Sequence, residues 1–474
     1  MSYELTIGFE THVELSTKTK IFCSCSSEFG ANANSHCCPI CIGLPGTLPK
    51  LNKQAVIFAI KAGLVTNCKI NNTSKFDRKN YVYPDLSKAY QISQFNVPIC
   101  QNGYIKLSGG KKIRINRIHL EEDAGKLIHK PGSLYVDYNR AGVPLIEIVS
   151  EPDISSVEEG KEYIEKIQSL MRYIEISDCK MQEGSMRCDV NISVKKSTDT
   201  ELGTRTEIKN MNSVNFISKA IEYERKRQID VLEKNRKIEQ ETLRYLEDLN
   251  ITESMRNKEN AHDYRYFKEP DLLDVYVPEQ EIEKIRSKIP VLPGAKLEKY
   301  INELNIPKSD ALLITKYKKI SAFFEESIIN IQNPKLVSNF IISTIFRYLE
   351  TESEKENFNI KLSAQNLNKL VKLLESKKIN INLAKSSLVK MLERGQSLEE
   401  IISDKDLQDN NLSDEELNKI CKEAIEDNKT AVQDYLIGKE KALKFIIGYV
   451  MQVTKGKADA LKVQDILEIL IKSQ

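Results

Sequence analysis

Four cysteines near the start of the chain have the spacing of a metal site. They form the pattern C-x-C-x12-C-x2-C and are Cys23, Cys25, Cys38 and Cys41. Thiolates one to three residues apart can bind a single tetrahedral zinc ion, because a tight turn brings both sulfur atoms to about 2.3 Å from the metal. Four thiolates complete the coordination sphere, so we expect a structural zinc. Buried unligated cysteines and a redox-active pair are the alternatives.

Acidic side chains inside apolar strands indicate a second kind of site. In IGFETHVEL, alternation places Glu10, His12 and Glu14 on one face of a strand, where residues two apart lie about 7 Å from each other. Other strand-like segments carry further charged residues, which are Glu121, Glu122, Asp123, Glu147, Glu151, Glu183, Asp189, Arg205, Glu207 and Lys209. Oxygen ligands accompanied by lysine and arginine suit Mg²⁺ and nucleotide phosphates. For each acid alone, a solvent-exposed polar face is the alternative.

Basic and aromatic side chains alternate in KFDRKNYVYPDLSKAYQISQF, residues 75–95, which includes Lys79, Tyr81 and Tyr83. Lysines can hold phosphates and tyrosines can stack on unpaired bases, so this stretch predicts contact with an RNA end or a nucleotide. An ordinary loop whose tyrosines pack on the core is the alternative.

LSGGKK (107–112) lacks the first glycine of a P-loop, so an ATP site would be built from the sheet and metal ions.

The composition restricts the class of protein. The 474 residues are 41% hydrophobic and 29% charged, with a net charge of only +2, so nucleic acid would have to be bound by local basic patches. No apolar run reaches the roughly 18 residues of a membrane span, and the start, MSYELTIGFE, does not resemble a signal peptide. We therefore expect a cytoplasmic protein without a membrane partner, in a reducing compartment where disulfides are rare.

The elements that position these residues change in type along the chain. Up to about residue 290, period-2 alternation predicts strands, interrupted by helices such as the one that Ser156 caps. Pro290 and Pro293 predict a boundary, beyond which capped amphipathic segments predict helices. The pattern indicates a mixed α/β body, an α-helical middle and a small helical tail.

Several longer motifs occur in one order and at one spacing. They are GFETHVEL, KFDRKNYVYPDLSKAYQISQF, HLEEDAGK, DYNRAGVPLIEIVSEPD, MQEGSMRCDVNISV and EIKNMNS. Together they resemble the B subunits of the aspartyl/glutamyl-tRNA(Asn/Gln) amidotransferases. The stretch HDYRYFKEPDLL (262–273) extends the match, and the helical remainder has the right length, so the resemblance covers essentially the whole chain.

The resemblance implies a fold and a reaction. The fold is α+β, with a glutamine-synthetase-like cradle domain of antiparallel sheets at 1–292, an all-α domain at 293–400 and a YqeY-like helical tail at 401–474 that contacts tRNA. The chain would work in a heterotrimer with the A and C subunits of the amidotransferase. It would use ATP and Mg²⁺ to phosphorylate the side-chain carboxylate of Glu-tRNA(Gln) or Asp-tRNA(Asn). Ammonia that the A subunit releases from glutamine would then displace the phosphate, which makes the activity that of a carbon–nitrogen ligase.

Carried over by position, the resemblance also assigns roles to residues. The implied Mg²⁺ ligands, all catalytic except Glu147, are Glu10, His12, Glu122, Glu147, Glu151 and Glu207. The implied cofactor-binding residues are Arg205, Lys209, Glu183 and Asp189. The implied substrate-binding residues are Lys79, Tyr81, Tyr83, Arg140, Lys455 and Lys457. The four cysteines match a branch of the family, and other members lack them, so zinc would not be required for the reaction.

Two functions of other classes compete with this interpretation. A non-catalytic, zinc-containing RNA-binding module would gain nothing from acids facing its ligand, because they repel phosphate. A stand-alone carboxylate–amine ligase for a small molecule would leave the helical tail without a role. The chain has no Gly/Ser-rich amidase signature and no cysteine in a glutaminase-type context, so we expect a partner to supply the ammonia.

Overall fold

The computed structural model describes residues 2–257, 264–402, 414–454, 458 and 460–472, and Lys455 and Lys457 lie outside them. The chain divides into two compact units, Met1–Leu292 and Pro293–Gln474. In the described ranges, no helix combines the length and the apolar character needed to cross a membrane.

The first unit is built on a large sheet. The strands of the unit are β1 (Tyr3–Glu14), β2 (Lys69–Ile70), β3 (Thr73–Ser74), β4 (Asp77–Asn80), β5 (Tyr90–Ser93), β6 (Cys100–Lys106), β7 (Lys112–Glu122), β8 (Lys126–Lys130), β9 (Ser133–Asp137), β10 (Pro144–Ser150), β11 (Met186–Lys196), β12 (Thr206–Lys209), β13 (Glu241–Leu246), β14 (Ile251–Asn257), β15 (Phe267–Lys268) and β16 (Val275–Tyr276). Nine strands form one sheet in the order β14–β13–β12–β11–β1–β10–β7–β6–β2. Neighbours in it are antiparallel except β12 and β13, which are parallel. Smaller sheets join β15–β4–β5, β16–β3 and β8–β9.

Strand β1 lies in the middle of the large sheet, and its alternation divides the sheet into two faces. Its residues Ile7, Phe9 and Val13 are buried in the core. On the other face, Glu10 lies opposite Asp189 of β11, and His12 lies opposite Glu147 of β10. Side chains at opposed positions share a face, so this register places the polar residues of neighbouring strands side by side.

The apolar face is covered by helices. The unit contains the helices α1 (Lys53–Val65), α2 (Val157–Tyr173), α3 (Val214–Glu233) and α4 (Glu279–Arg286). The predicted cap of α2 is confirmed, because the Ser156 side chain accepts a hydrogen bond from the amide of Glu159. The ring of Phe9 stacks on that of Tyr163 in α2, with centroids 5.6 Å apart and planes at 15°. This stack fixes β1 against the helical layer and directs the next residue, Glu10, to the polar face.

The second unit is helical in its described residues. Its helices are Pro293–Asn302, Lys308–Thr315, Lys318–Ser327, Pro334–Phe340, the π-helical turn Ile341–Ile345, Phe346–Tyr348, Glu352–Asn357, Ala364–Glu375, Ile381–Arg394, Leu398–Ile401, Asp414–Asp427, Lys429–Leu436, Glu440–Val453 and Ala460–Lys472. Its buried residues form two separate clusters, one between Tyr300 and Ile402 and one between Leu417 and Ile471. The predicted α+β class, with antiparallel sheets followed by helices, is confirmed. The division into three domains with separate roles stays a prediction.

The stack of Phe9 on Tyr163 gives a test of the packing. We expect Phe9→Ala to destabilise the first unit by about 3–5 kcal/mol, because it removes a buried ring and leaves a cavity. Tyr163→Phe is the matched control, because the hydroxyl of Tyr163 is buried without a hydrogen-bond partner among the described residues. Removing this hydroxyl breaks no hydrogen bond, so the free energy of unfolding should not fall. Hydrogen exchange of the β1 amides measures the free energy of unfolding of this unit separately from the second unit. If Phe9→Ala lowered that free energy by less than about 1 kcal/mol, the packing described here would be contradicted.

Candidate active site and metal centre

The polar face of the sheet gathers a first acidic cluster from three strands. Nε2 of His12 lies 3.2 Å from a carboxylate oxygen of Glu121 and 3.5 Å from one of Glu147. His119 joins them, with Nε2 3.3 Å from Glu147. The carboxylates are almost fully buried, at 1% exposure for Glu121 and 9% for Glu147. One ligand atom each from His12, Glu121 and Glu147 lies within 4.8 Å of the others, so these residues can bind one divalent cation together.

The electrostatics of this cluster favour charged carboxylates. Burial opposes ionisation of Glu121, but hydrogen bonds from His119 and His12 outweigh it and lower the pKa of Glu121 to about 2. Burial likewise opposes ionisation of Glu147, and the charge of His119 holds its pKa well below the usual value. Burial alone lowers the pKa of His12, but its hydrogen bonds to both carboxylates raise it well above the usual value. Ionised carboxylates are the form that binds hard cations.

A second acidic cluster lies beside the first on the same face. Glu10, Asp189 and Glu207 each place a carboxylate oxygen within 4.8 Å of the others. Lys209 forms ion pairs with Asp189 and, at 3.0 Å, with Glu207. Thr242 donates a hydrogen bond of 3.0 Å to Glu207 and holds it in place. Since Glu10 and His12 are two residues apart on β1, the two clusters are neighbours, about 7 Å apart.

An unsatisfied amide supports cation binding at the second cluster. Asn191 donates a hydrogen bond of 2.9 Å from Nδ2 to Glu10. Its Oδ1 atom is buried and finds no hydrogen-bond partner among the residues that the structure describes. A buried acceptor without a partner is costly, and a bound cation or the water around it would satisfy this oxygen. The residues present therefore fit a hard divalent ion such as Mg²⁺.

Lys79 and a group of tyrosines border the first cluster. The Lys79 ammonium lies 4.8 Å from the ring centroid of Tyr264 and 5.7 Å from that of Tyr81. Burial alone lowers the pKa of Lys79, but the carboxylate of Glu121 in particular raises it. Lys79 is therefore cationic and acts electrostatically on the cluster. Tyr83, also expected to bind substrate, is 57% exposed.

Several functional candidates were missed by the sequence interpretation. Glu121 belongs to the first cluster, whereas the predicted ligand Glu122 points to the opposite face. There Glu122 accepts hydrogen bonds from Lys88 at 2.5 and 2.7 Å and from the amide of Ile92 at 2.9 Å. The strand pattern contains a signal for this difference. Ile115 and Ile118 are both buried although they are three residues apart, so the alternation in β7 changes phase between them. After that change, Glu122 lies on the apolar face. The sequence interpretation also gave no role to Tyr264, which contacts Lys79 from a distant segment and whose ring lies 5.9 Å from that of Tyr266.

Other predicted residues lie outside both clusters. Glu151 accepts a hydrogen bond of 2.7 Å from Asn116. Glu183 is exposed and forms an ion pair of 3.0 Å with Lys180. Arg205 is exposed as well.

Arg140 is placed at the end of the polar face. Its Nε lies 3.3 Å from Asp123, and it also donates hydrogen bonds to the carbonyls of Ala124 and Gly125.

Of the predicted residues, the structure brings together Glu10, His12, Glu147, Asp189, Glu207 and Lys209. It leaves Glu122, Glu151, Glu183 and Arg205 apart from both clusters.

The four cysteines come together as a candidate metal centre. Their sulfur atoms lie within 4.8 Å of one another, and none of the ten cysteines, all of which the structure describes, forms a disulfide. A hydrogen bond from Cys23 lowers the pKa of Cys41 to about 4 and raises the pKa of Cys23. The ammonium of Lys20 lies 3.5 Å from the Cys41 sulfur. A compact set of four sulfurs next to a buried cation fits a tetrahedral zinc ion bound by thiolates.

Comparison with known proteins gives matches over most of the chain. A family model described as the GatB/GatE catalytic domain matches residues 5–283, and one described as the GatB domain matches residues 322–471. A protein of Thermoanaerobacter pseudethanolicus is 51% identical over 99% of both chains. Proteins of Caldicellulosiruptor bescii and Clostridium tetani are 51% and 48% identical over 98% and 97% of both chains. All three are named as B subunits of the aspartyl/glutamyl-tRNA(Asn/Gln) amidotransferase.

The contrast between Glu121 and Glu122 is directly testable. We expect Glu121→Gln to weaken Mn²⁺ binding at least about tenfold, because it removes a charged oxygen ligand from the first cluster. Glu122→Gln is the matched control, with the same change on the opposite face. It should leave Mn²⁺ binding within about twofold, while it destabilises the fold by removing the charged partner of the partly buried Lys88. Electron paramagnetic resonance of free Mn²⁺ measures the binding. Loss of Mn²⁺ binding in Glu122→Gln alone would reverse the assignment.

Proposed function

This chain belongs to the family of the aspartyl/glutamyl-tRNA(Asn/Gln) amidotransferase B subunits, and we propose that the polar face of its large sheet activates the carboxylate that is amidated. Its role is in tRNA-dependent amidation. The observation that supports the activation step is the pair of adjacent acidic clusters, one around His12 and one around Glu10, on neighbouring strands.

The reaction explains why acids and cations occur together. A carboxylate is a poor electrophile, and phosphorylation by ATP gives it a leaving group that ammonia can displace. Bound Mg²⁺ would neutralise charge on the transferred phosphoryl group. Residues His12, Glu121 and Glu147 would hold one ion, and Glu10, Asp189 and Glu207 another.

The cationic side chains have complementary roles in this proposal. Lys209 lies within the second cluster and would pair with phosphate oxygens that approach Asp189 and Glu207. Lys79, held over the rings of Tyr81 and Tyr264, would attract the negatively charged side chain of the aminoacyl group toward the first cluster. The face thus offers a place for the phosphates beside a place for the aminoacyl end.

The relatives are named as components of an amidotransferase that acts on tRNA, which supports partners for this chain. We propose that it assembles with the A and C subunits as a heterotrimer, that the A subunit releases ammonia from glutamine, and that the substrates are Glu-tRNA(Gln), Asp-tRNA(Asn) or both. The helical unit, with Lys455 and Lys457 in its tail, would contact the tRNA body. A non-catalytic RNA-binding module is disfavoured, because the acids of the sheet face would repel phosphate without metal ions.

We predict that Glu10→Gln lowers tRNA-dependent ATP hydrolysis at least about a hundredfold, since it removes a charged ligand from the second cluster. Affinity for tRNA should stay within a fewfold, because the tRNA body is bound elsewhere. The assay uses the complex co-expressed with the A and C subunits and presents both misacylated tRNAs. Glu165→Gln, an exposed carboxylate on α2, is the control and should behave as the unaltered chain does. Unchanged ATP hydrolysis in Glu10→Gln would refute the metal assignment.

Zinc binding is tested separately. Elemental analysis should find about one zinc per chain, bound by the four cysteines, and Cys38→Ser should lose it because three thiolates leave the site open. The matched control is Cys37→Ser, which removes the neighbouring thiol outside the set of four. A purified native protein without zinc would show that the four thiols serve another purpose.

A further inference from the structure

Lys20 is a lysine that the proposed reaction does not use, and it is 0% exposed. Its ammonium has two polar contacts in the described part of the chain. One is the sulfur of Cys41 at 3.5 Å, and the other is the backbone carbonyl of Tyr138 at 3.1 Å. Neither is a carboxylate, so this lysine differs from the partly buried Lys88, which pairs with Glu122.

A buried ammonium needs a negative partner. Burial of an isolated charge costs several kcal/mol, and a lysine without a counter-charge would be a strong defect in the fold. The partner that contacts it is the Cys41 sulfur, which carries a negative charge as a thiolate. Four thiolates around a divalent zinc ion carry more negative charge than the metal neutralises, so a zinc-bound Cys41 would remain a negative partner for Lys20.

We propose that Lys20 is the counter-cation of the zinc centre and that retention of the metal depends on its charge. The inference rests on the proposed zinc site. Groups that hydrogen-bond to the ligands of a metal, or place charge beside them, change the affinity of the site for the metal by about 10- to 100-fold. The positive charge of Lys20 offsets part of the excess negative charge of the thiolates and so stabilises the metal-bound state.

The same lysine connects the centre to the polar face of the sheet. The segment 138–142 begins with the carbonyl that Lys20 binds and contains Arg140, which lies 3.3 Å from Asp123. Two further contacts tie this segment to the cysteine loop: the amide of Ile21 donates to Gly142, and the amide of His36 donates to Asn139, both at 2.8 Å. Lys20 therefore links the candidate zinc centre to the segment that carries Arg140.

Charge must be separated from packing in the test. The Lys20 side chain also fills space, since its Cδ would lie 3.5 Å from a Cβ added at Gly142. Lys20→Met keeps an unbranched side chain and removes the charge, whereas Lys20→Arg keeps the charge. Lys88→Met is the control, because it removes a partly buried charge near this loop: the Lys88 ammonium lies 5.7 Å from the ring of Phe22 and contacts none of the four sulfurs.

The experiment measures zinc release from the full-length chain into an excess of a chromogenic chelator, after the initial zinc content has been determined. We expect Lys20→Met to release zinc at least about tenfold faster than the unaltered chain, and Lys20→Arg and Lys88→Met to stay within about threefold. Equal release from Lys20→Met and the unaltered chain would overturn the inference. Equally fast release from Lys20→Met and Lys20→Arg would also overturn it, because size would then matter and charge would not.

A second measurement does not depend on a folded variant. In the unaltered chain, Lys20 should resist amine acetylation while zinc is bound and become reactive after a chelator has removed the metal, as mass spectrometry of the peptide would show. A Lys20 that stays unreactive in both states would contradict the proposal. An unaltered chain that contains no zinc would instead reject the proposed zinc site itself, so the two failures can be told apart.

Discussion

The antiparallel register of β1 between β10 and β11 is the constraint on which the rest of the structure depends. Because side chains alternate across a strand, a slip of one residue would exchange the two faces, burying Glu10 and His12 and exposing Phe9. The apolar residues of β1 prevent such a slip, since they are packed against the helices. The same packing that stabilises the first unit thus fixes which acids meet at the candidate site.

The polar face holds many charged groups in a buried environment, and each acidic cluster contains its own positively charged partners. In the first cluster, His12 and His119 compensate Glu121 and Glu147, and in the second, Lys209 compensates Asp189 and Glu207. A metal-bound imidazole is neutral, so cation binding and protonation of His12 exclude each other. A divalent ion that entered the first cluster would displace the proton of His12, so the net charge of the cluster would rise by one unit instead of two. The site can therefore bind a cation without a large change in its net charge.

Sequence reasoning located much of this site because the relevant signals are local. Alternation alone placed Glu10, His12 and Asp189 on polar strand faces, and the cysteine spacing alone indicated a set of four ligands. The resemblance assigned a role to Glu122 and none to Glu121. The strand pattern separates the two only through a change of phase in β7 near Asn116, where Arg117 lies opposite Val149 but Ile115 lies opposite Ser150. The contact of Lys79 with Tyr264 joins segments about 185 residues apart, and no local pattern encodes such a distance.

The buried contact of Lys20 with Cys41 has a consequence for how such chains can diverge. With the proposed zinc bound, the ammonium and the thiolates would compensate each other's charge, so loss of the cysteines would leave Lys20 buried without a negative partner and loss of Lys20 would leave the thiolates with excess negative charge. Neither change is neutral by itself, so position 20 and the four cysteine positions should be inherited as one unit.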